Sequence, residues 1–309
     1  MKNKLSQHNR YIINTFKSLR FRKNDKPNSK NKIESLDSIR GLAALSVVLS
    51  HFVGIYFPAM ISGNMAPIHT SRDIFIYHSP LSIFFAGSFA VTLFFILSGF
   101  VLSLRFMSGN QKSLFPSAVK RYFRLMPVAL TSILMAHFIL SFGFLNSVDK
   151  VGAITGSPSL RGQYYLFEPG LITALHQGII GVFSSQALVK TSYNPVLWTI
   201  YYELLGSLLV FGLAVICKNQ PKRWLLYLIS TIAFLNTFFV GFIVGLAIAD
   251  LYSSKIKIFE KISQLSAVYK FILLAFAISI ASYPSLGYFT DKGYHWNSIN
   301  LFPLNVTLT

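Results

Sequence analysis

Arg40 and His51 stand eleven residues apart in the run Leu36–Phe52, LDSIRGLAALSVVLSHF. In a helix of ~3.6 residues per turn and ~1.5 Å rise, they share one stripe and lie ~16 Å apart along the axis. The stripe reads Asp37, Arg40, Ala44, Val47, His51, so its middle is small or apolar. A guanidinium suits the oxygens of a phosphate. An imidazole near neutral pH takes a proton from a hydroxyl or serves as a nucleophile. The run is apolar enough to cross a bilayer. With Arg40 at one face, His51 is expected about halfway through a hydrocarbon layer ~30 Å thick. Ionisable side chains at such depth are costly and mark functional sites. The plainer readings are a histidine bonded between packed helices and an interface arginine paired with Asp37 at i,i+3.

Glu203 lies five residues into the apolar run that begins at Trp198. A carboxylate there needs a partner. It is expected to orient His51 or to hold a hydroxyl; the alternative is an interfacial glutamate among Trp198, Tyr201 and Tyr202. Arg121 and Arg124 share a helical face at i,i+3. They are expected to grip phosphate, or else to mark the cytoplasmic face. Ser98-Gly99 is read as a point of close helix approach, or as a narrow passage for a thin substrate arm. His137 is read as a packing residue, and His69, His78 and His176 as outer-loop residues. The histidines show no metal-ligand spacing, and the single Cys217 excludes an internal disulfide and a cysteine metal cluster.

These residues need a membrane to sit in, and the composition supplies one. The 309-residue chain is 53% hydrophobic and 12% charged, half the ~25% charge of soluble domains. Its mean hydropathy is +0.52. The net charge of +18 raises nucleic acid as a partner, and its distribution argues against one. Ten of the 28 basic residues precede Glu34, and most others flank apolar runs. That is the positive-inside pattern: a cytoplasmic N-terminus, with a basic arm, residues 1–35, lying on anionic lipid. The localisation expected is a bacterial inner (plasma) membrane. No cleavable signal peptide is expected, because the first apolar run starts only near Leu36, beyond the ~15–30 residues of a signal peptide.

Along the transmembrane domain, residues 36–309, the first span is expected at Ile39–Phe57. An outer loop, Pro58–Pro80, leads to a second span at Leu81–Leu104. A basic loop holding Arg105, Lys112, Lys120, Arg121 and Arg124 precedes a third span at Leu125–Leu145. The segment Leu171–Val189 is expected to be interfacial or re-entrant, because a span there would spoil the charge parity of the next one, Val196–Cys217. Trp224–Tyr252 is short of the ~40 residues two full spans need. Its basic flanks favour a hairpin of short helices broken near Asn236. A last span is expected at Val268–Phe289. The fold class is thus an all-α, polytopic transmembrane helical bundle.

Several segments together resemble the membrane-bound acyltransferase family 3, the O-acetyltransferases that decorate sugars and lipids. The family's Arg-x10-His pattern is matched by Arg40 and His51. Its FF-x-LSGF signature is matched by FFILSGFVLSLR, Phe94–Arg105. Its R-x-x-R-x-x-P element is matched by KRYFRLMP, Lys120–Pro127, and its W-x-x-x-x-E segment by LWTIYYELLGS, Leu197–Ser207. FFVGFIVGLAIA, Phe238–Ala249, is similar to a glycine-containing later helix. The resemblance implies transfer of an acetyl or other short acyl group from acyl-CoA, with acetyl-CoA a donor substrate rather than a resident cofactor. The acceptor implied is a hydroxyl of a cell-envelope polysaccharide or lipid-linked sugar. It assigns Arg40, Arg121 and Arg124 to the donor phosphates and His51, supported by Glu203, to the chemistry. The chain is expected to lack the family's last helices. Two other functions stand beside this one: a transporter with His51 and Glu203 as a proton relay, and an inactive truncated homologue.

Overall fold

The computed structural model describes residues 29–63, 68–107, 114–145, 148–157, 165, 167–184, 191–217, 220–235, 237–254, 261–262 and 264–282. The chain divides into two compact units, Met1–Ile39 and Arg40–Thr309. In the first, residues 29–39 are helical, and most of the expected basic arm lies outside the described residues. The second unit carries all five candidate site residues.

Among the described residues the regular structure is helical: α1 (Ser29–Tyr56), α2 (Ala59–Ser62), α3 (Ser71–Tyr77), α4 (Gly87–Met107), α5 (Leu114–Ser141), α6 (Val148–Thr155), α7 (Leu171–Ser184), α8 (Trp198–Cys217), α9 (Arg223–Ala233), α10 (Phe239–Ser253) and α11 (Ala267–Ala281). Helices satisfy every backbone donor and acceptor within the segment, which hydrocarbon requires. Four stretches are long and apolar enough to cross a membrane: Leu36–Tyr56, Gly87–Leu104, Ala118–Ser141 and Pro195–Cys217. The chain is an all-α membrane protein.

Backbone contact joins α4 to α10. A Cβ on Gly99 would strike the carbonyl group of Phe242, and one on Gly245 would lie 2.7 Å from the Phe100 nitrogen. Small residues let helices approach this closely where no hydrophobic effect drives them together. The two helices run parallel, since Phe95 meets Gly241 and Phe100 meets Gly245. Helix α8 runs parallel to α4, with the Phe95 and Tyr202 rings 6.1 Å apart. Helix α5 runs antiparallel to α8: Ala118 packs on Phe211 and Ala214, while Ser132 meets Asn194.

Several boundaries differ from the sequence reading. The second span starts at Gly87 rather than Leu81, because Pro80–Phe85 forms a separate 3-10 turn capped by Ser79, which accepts from Leu81 N. The third begins well before Leu125: α5 is continuous from Leu114 through Pro127. Lys120, Arg121 and Arg124 therefore sit on a helix and not in a loop; Lys112 is outside the described residues. Charge made that stretch look like a loop, yet Arg121 is buried there and finds a carboxylate. Trp224–Tyr252 does break into two helices, α9 and α10. Thr237 caps the break, donating to Phe234 O at 2.9 Å and accepting from Phe239 N at 3.3 Å; Asn236 itself lies outside the described residues. Helix α7, at ~21 Å for fourteen residues, is too short for a ~30 Å core and packs on α5. The expected last span is described as α11, to Ala281.

Candidate active site

Helices α4, α5 and α8 meet around one carboxylate. Glu203 Oε1 accepts from the Arg121 guanidinium and, at 2.9 Å, from Ser98 Oγ. Arg121 is 7% exposed and Glu203 20%. Along α8, Glu203 stands eight residues from Pro195 and fourteen from Cys217, ~12 Å and ~21 Å, so the pair lies deep within a spanning length. A charged pair so placed needs both charges and further hydrogen bonds to offset desolvation. Ser98 supplies one.

The cluster extends beyond the pair. Arg40 and Arg124 both lie near enough to Arg121 to repel it electrostatically. Arg121 Nε is buried with no hydrogen-bond partner. Arg40 and Arg124 thus lie near Arg121, and Arg124 is exposed while Arg121 is not. The i,i+3 pair on α5 is therefore not two equal ligands. Arg121 is directed into the bundle and Arg124 outward.

His51 is elsewhere. Its neighbour Ser50 packs against Gly87 at the start of α4, where an added Cβ would lie 2.9 Å from Ser50 Cβ. Arg40 lies near enough to Arg121 to act on it electrostatically, and His51 stands eleven residues further along α1, ~16 Å of helix axis. His51 is exposed, and the partners of Glu203 are Arg121 and Ser98, not His51. In this structure the Glu203 carboxylate holds Arg121. Within Leu36–Tyr56, His51 stands midway between the centre of the span, Ser46, and its Tyr56 end.

Ser98-Gly99 is a point of close helix approach: Gly99 packs on the α10 backbone at Phe242, while Ser98 is a partner of the carboxylate. The FFILSGF motif made Ser98 visible; nothing local foretold its acceptor. A second polar group escaped the sequence reading. Asp250 on α10, 7% exposed, takes Arg223 Nε at 2.6 Å and the Tyr227 hydroxyl at 3.2 Å. It ties α9 to α10 at the end where α8 finishes. Of the loop histidines, His69 has a defined bond, Nε2 to Thr155 O at 2.9 Å. Beside it Asp73, 0% exposed, accepts from His69 N and from Thr70 N and Oγ1. Burial would push the Asp73 carboxyl up, and these hydrogen bonds outweigh it, holding the group below its ordinary value. Among the described residues no group of three or more His, Cys, Asp or Glu is arranged to hold a metal.

A helical membrane bundle with a charge cluster buried among its spanning helices defines the class. The family model for the acyltransferase domain, acyltransferase family 3, matches residues 33–308, and the chain belongs to that family. No curated protein and no solved structure matches the chain. The protein is therefore a membrane acyltransferase.

Proposed function

We propose that this acyltransferase moves an acetyl or other short acyl group from acyl-CoA to a hydroxyl of a cell-envelope polysaccharide or lipid-linked sugar. The observation that carries the reading is the separation of two chemistries along α1. Guanidiniums gather at the level of Arg40, and an unbonded imidazole stands ~16 Å away. An acyl-CoA has the same division, with its phosphates and its thioester at opposite ends of a long, thin arm. Arg40, Arg121 and Arg124 hold the phosphates. Glu203, itself bonded by Ser98, holds the Arg121 guanidinium, and Arg121 Nε is left without a partner.

His51 then acts at the thioester. It takes the proton of the acceptor hydroxyl as that oxygen attacks the thioester carbonyl. The tetrahedral adduct collapses, the C–S bond breaks, and the imidazolium returns the proton to the departing thiolate. The products are an ester and CoA. The basic end of α1 faces the cytoplasm in this reading, where acyl-CoA is available, and His51 faces the acceptor side. A proton relay from His51 to Glu203 finds no support in the geometry, because Glu203 is engaged by Arg121 and Ser98.

The test is acyl transfer by the purified chain in detergent, with radiolabelled acetyl-CoA and a crude envelope glycan fraction. Label in the glycan and stoichiometric CoA release are expected. Tight binding of acetyl-CoA with neither transfer nor release would remove the enzymatic reading.

A further inference from the structure

The segment Thr191–Asn194, just before α8, is clamped from three sides. Gln177 Nε2 donates to Thr191 O at 3.2 Å, and Gln177 Oε1 accepts from Tyr193 N at 2.9 Å. The Tyr193 hydroxyl donates to Gly170 O at 2.9 Å and accepts from Gly170 N at 2.8 Å. Asn194 Nδ2 donates to Ser132 Oγ at 2.7 Å. Gln177 opens a π-helical stretch, Gln177–Gly181, a rare geometry that recurs at functional sites.

Within this satisfied network two buried polar atoms have no partner, Ser192 Oγ and His137 Nδ1. Ser192 is 0% exposed. Both adjoin Tyr193, which is itself 0% exposed. Ser192 is its neighbour in the chain, and the His137 ring meets the Tyr193 ring edge-on at 5.8 Å. Buried polar atoms in a native protein are nearly always satisfied, by protein or by a bound group. A serine hydroxyl and a neutral imidazole nitrogen each donate or accept once, and a hydroxyl oxygen complements both. Among the described residues the hydrogen bonds of this network are made by neutral groups, which suits a hydroxyl as the occupant.

Position selects the kind of hydroxyl. The α4–α8 register, Phe95 beside Tyr202, brings Asn194 level with Gly87 and therefore with the His51 end of α1. The arginine cluster is at the other level: Arg121 to His137 is sixteen residues of α5, ~24 Å. We infer that His137 and Ser192 form a hydroxyl-binding subsite beside Tyr193 that holds an alcohol group of the acyl acceptor. The word acceptor rests on the function proposed above; hydroxyl binding does not.

Two readouts keep these apart. The first is thermal unfolding of the full chain in detergent with a panel of methyl glycosides, which needs no turnover. A glycoside is expected to raise the wild-type midpoint, and Ser192→Ala and His137→Phe to abolish the rise, with Ser192→Thr restoring it. The second is acyl transfer from acetyl-CoA to the same glycoside. There Ser192→Ala should raise the glycoside KM about three- to tenfold, the worth of one neutral hydrogen bond, with the acetyl-CoA KM unmoved. No wild-type shift with any glycoside, or shifts and KM values unchanged in the variants, would overturn the subsite. Variants that unfold earlier yet keep the glycoside response would mean an ordered water only, and would overturn it too. A glycoside shift without acyl transfer would leave the subsite standing and sink the proposed function.

Discussion

Removing Glu203 alone should damage this protein more than removing Glu203 and Arg121 together. Arg121 is 7% exposed and Glu203 20%, and Ser98 Oγ donates to the same carboxylate oxygen. Glu203→Leu leaves a buried guanidinium without a counter-charge, a change that costs ~3–5 kcal/mol. The orphaned Ser98 hydroxyl adds about 1 kcal/mol. At ~4 kcal/mol the ratio of folded to unfolded protein falls about a thousandfold. Arg121→Met leaves a buried carboxylate and should cost a similar amount. The double variant removes both charges and fills the space with apolar atoms, so it should recover to within about 1–2 kcal/mol of wild type. On the proposed function it should still bind acetyl-CoA at least about tenfold more weakly, because one of the proposed phosphate ligands is gone. The assay is reversible unfolding by SDS titration in mixed micelles, beside acetyl-CoA binding on the same samples. If the single variants lie within about 0.5 kcal/mol of wild type, or if their losses simply add in the double variant, the buried pair is not what joins α5 to α8.

Other outcomes follow from the same geometry. His51→Ala should lower the transfer rate by ~10²–10⁴ with little change in acetyl-CoA KM, because His51 stands a helix-length from the arginines; a rate near wild type would exclude it as the base. Arg124→Ala should weaken acetyl-CoA binding about tenfold or more, the value of one charge-assisted contact, without shifting the unfolding midpoint, because Arg124 is exposed. Gly245→Val should prevent α4 and α10 from closing, since even a Cβ there would collide with the backbone of Ile96 and Phe100; loss of the folded fraction in detergent reads this. Asp73, held below its ordinary pKa, contributes stability that is complete above the unfolded value of ~3.9 and lost as pH falls through the lower folded value. Proteolytic nicking around Ser71–Tyr77 should therefore rise only below about pH 4, and a rise already at pH 6 would refute this.

The sequence by itself determined that this chain is an all-α membrane protein, and it located the four stretches that, among the described residues, are long and apolar enough to span. Hydropathy and helical period are properties of residues near each other along the chain, and in hydrocarbon the helix is the form that satisfies its own backbone. The order of Arg40, His51, the FFILSGF run, Arg121 and Glu203 likewise carried the family. Tertiary structure alone decided what those residues touch. Glu203 takes its two donors from positions 82 and 105 residues away, and no local pattern encodes such a meeting. Arg121 and Arg124 look equivalent by spacing, but packing against α8 buries one and leaves the other exposed. A buried carboxylate on another helix makes an arginine tolerable within α5, where charge alone suggested a loop. Glu203, linked to His51 in the sequence reading, has its hydrogen-bond partners on α4 and α5 instead, Ser98 and Arg121.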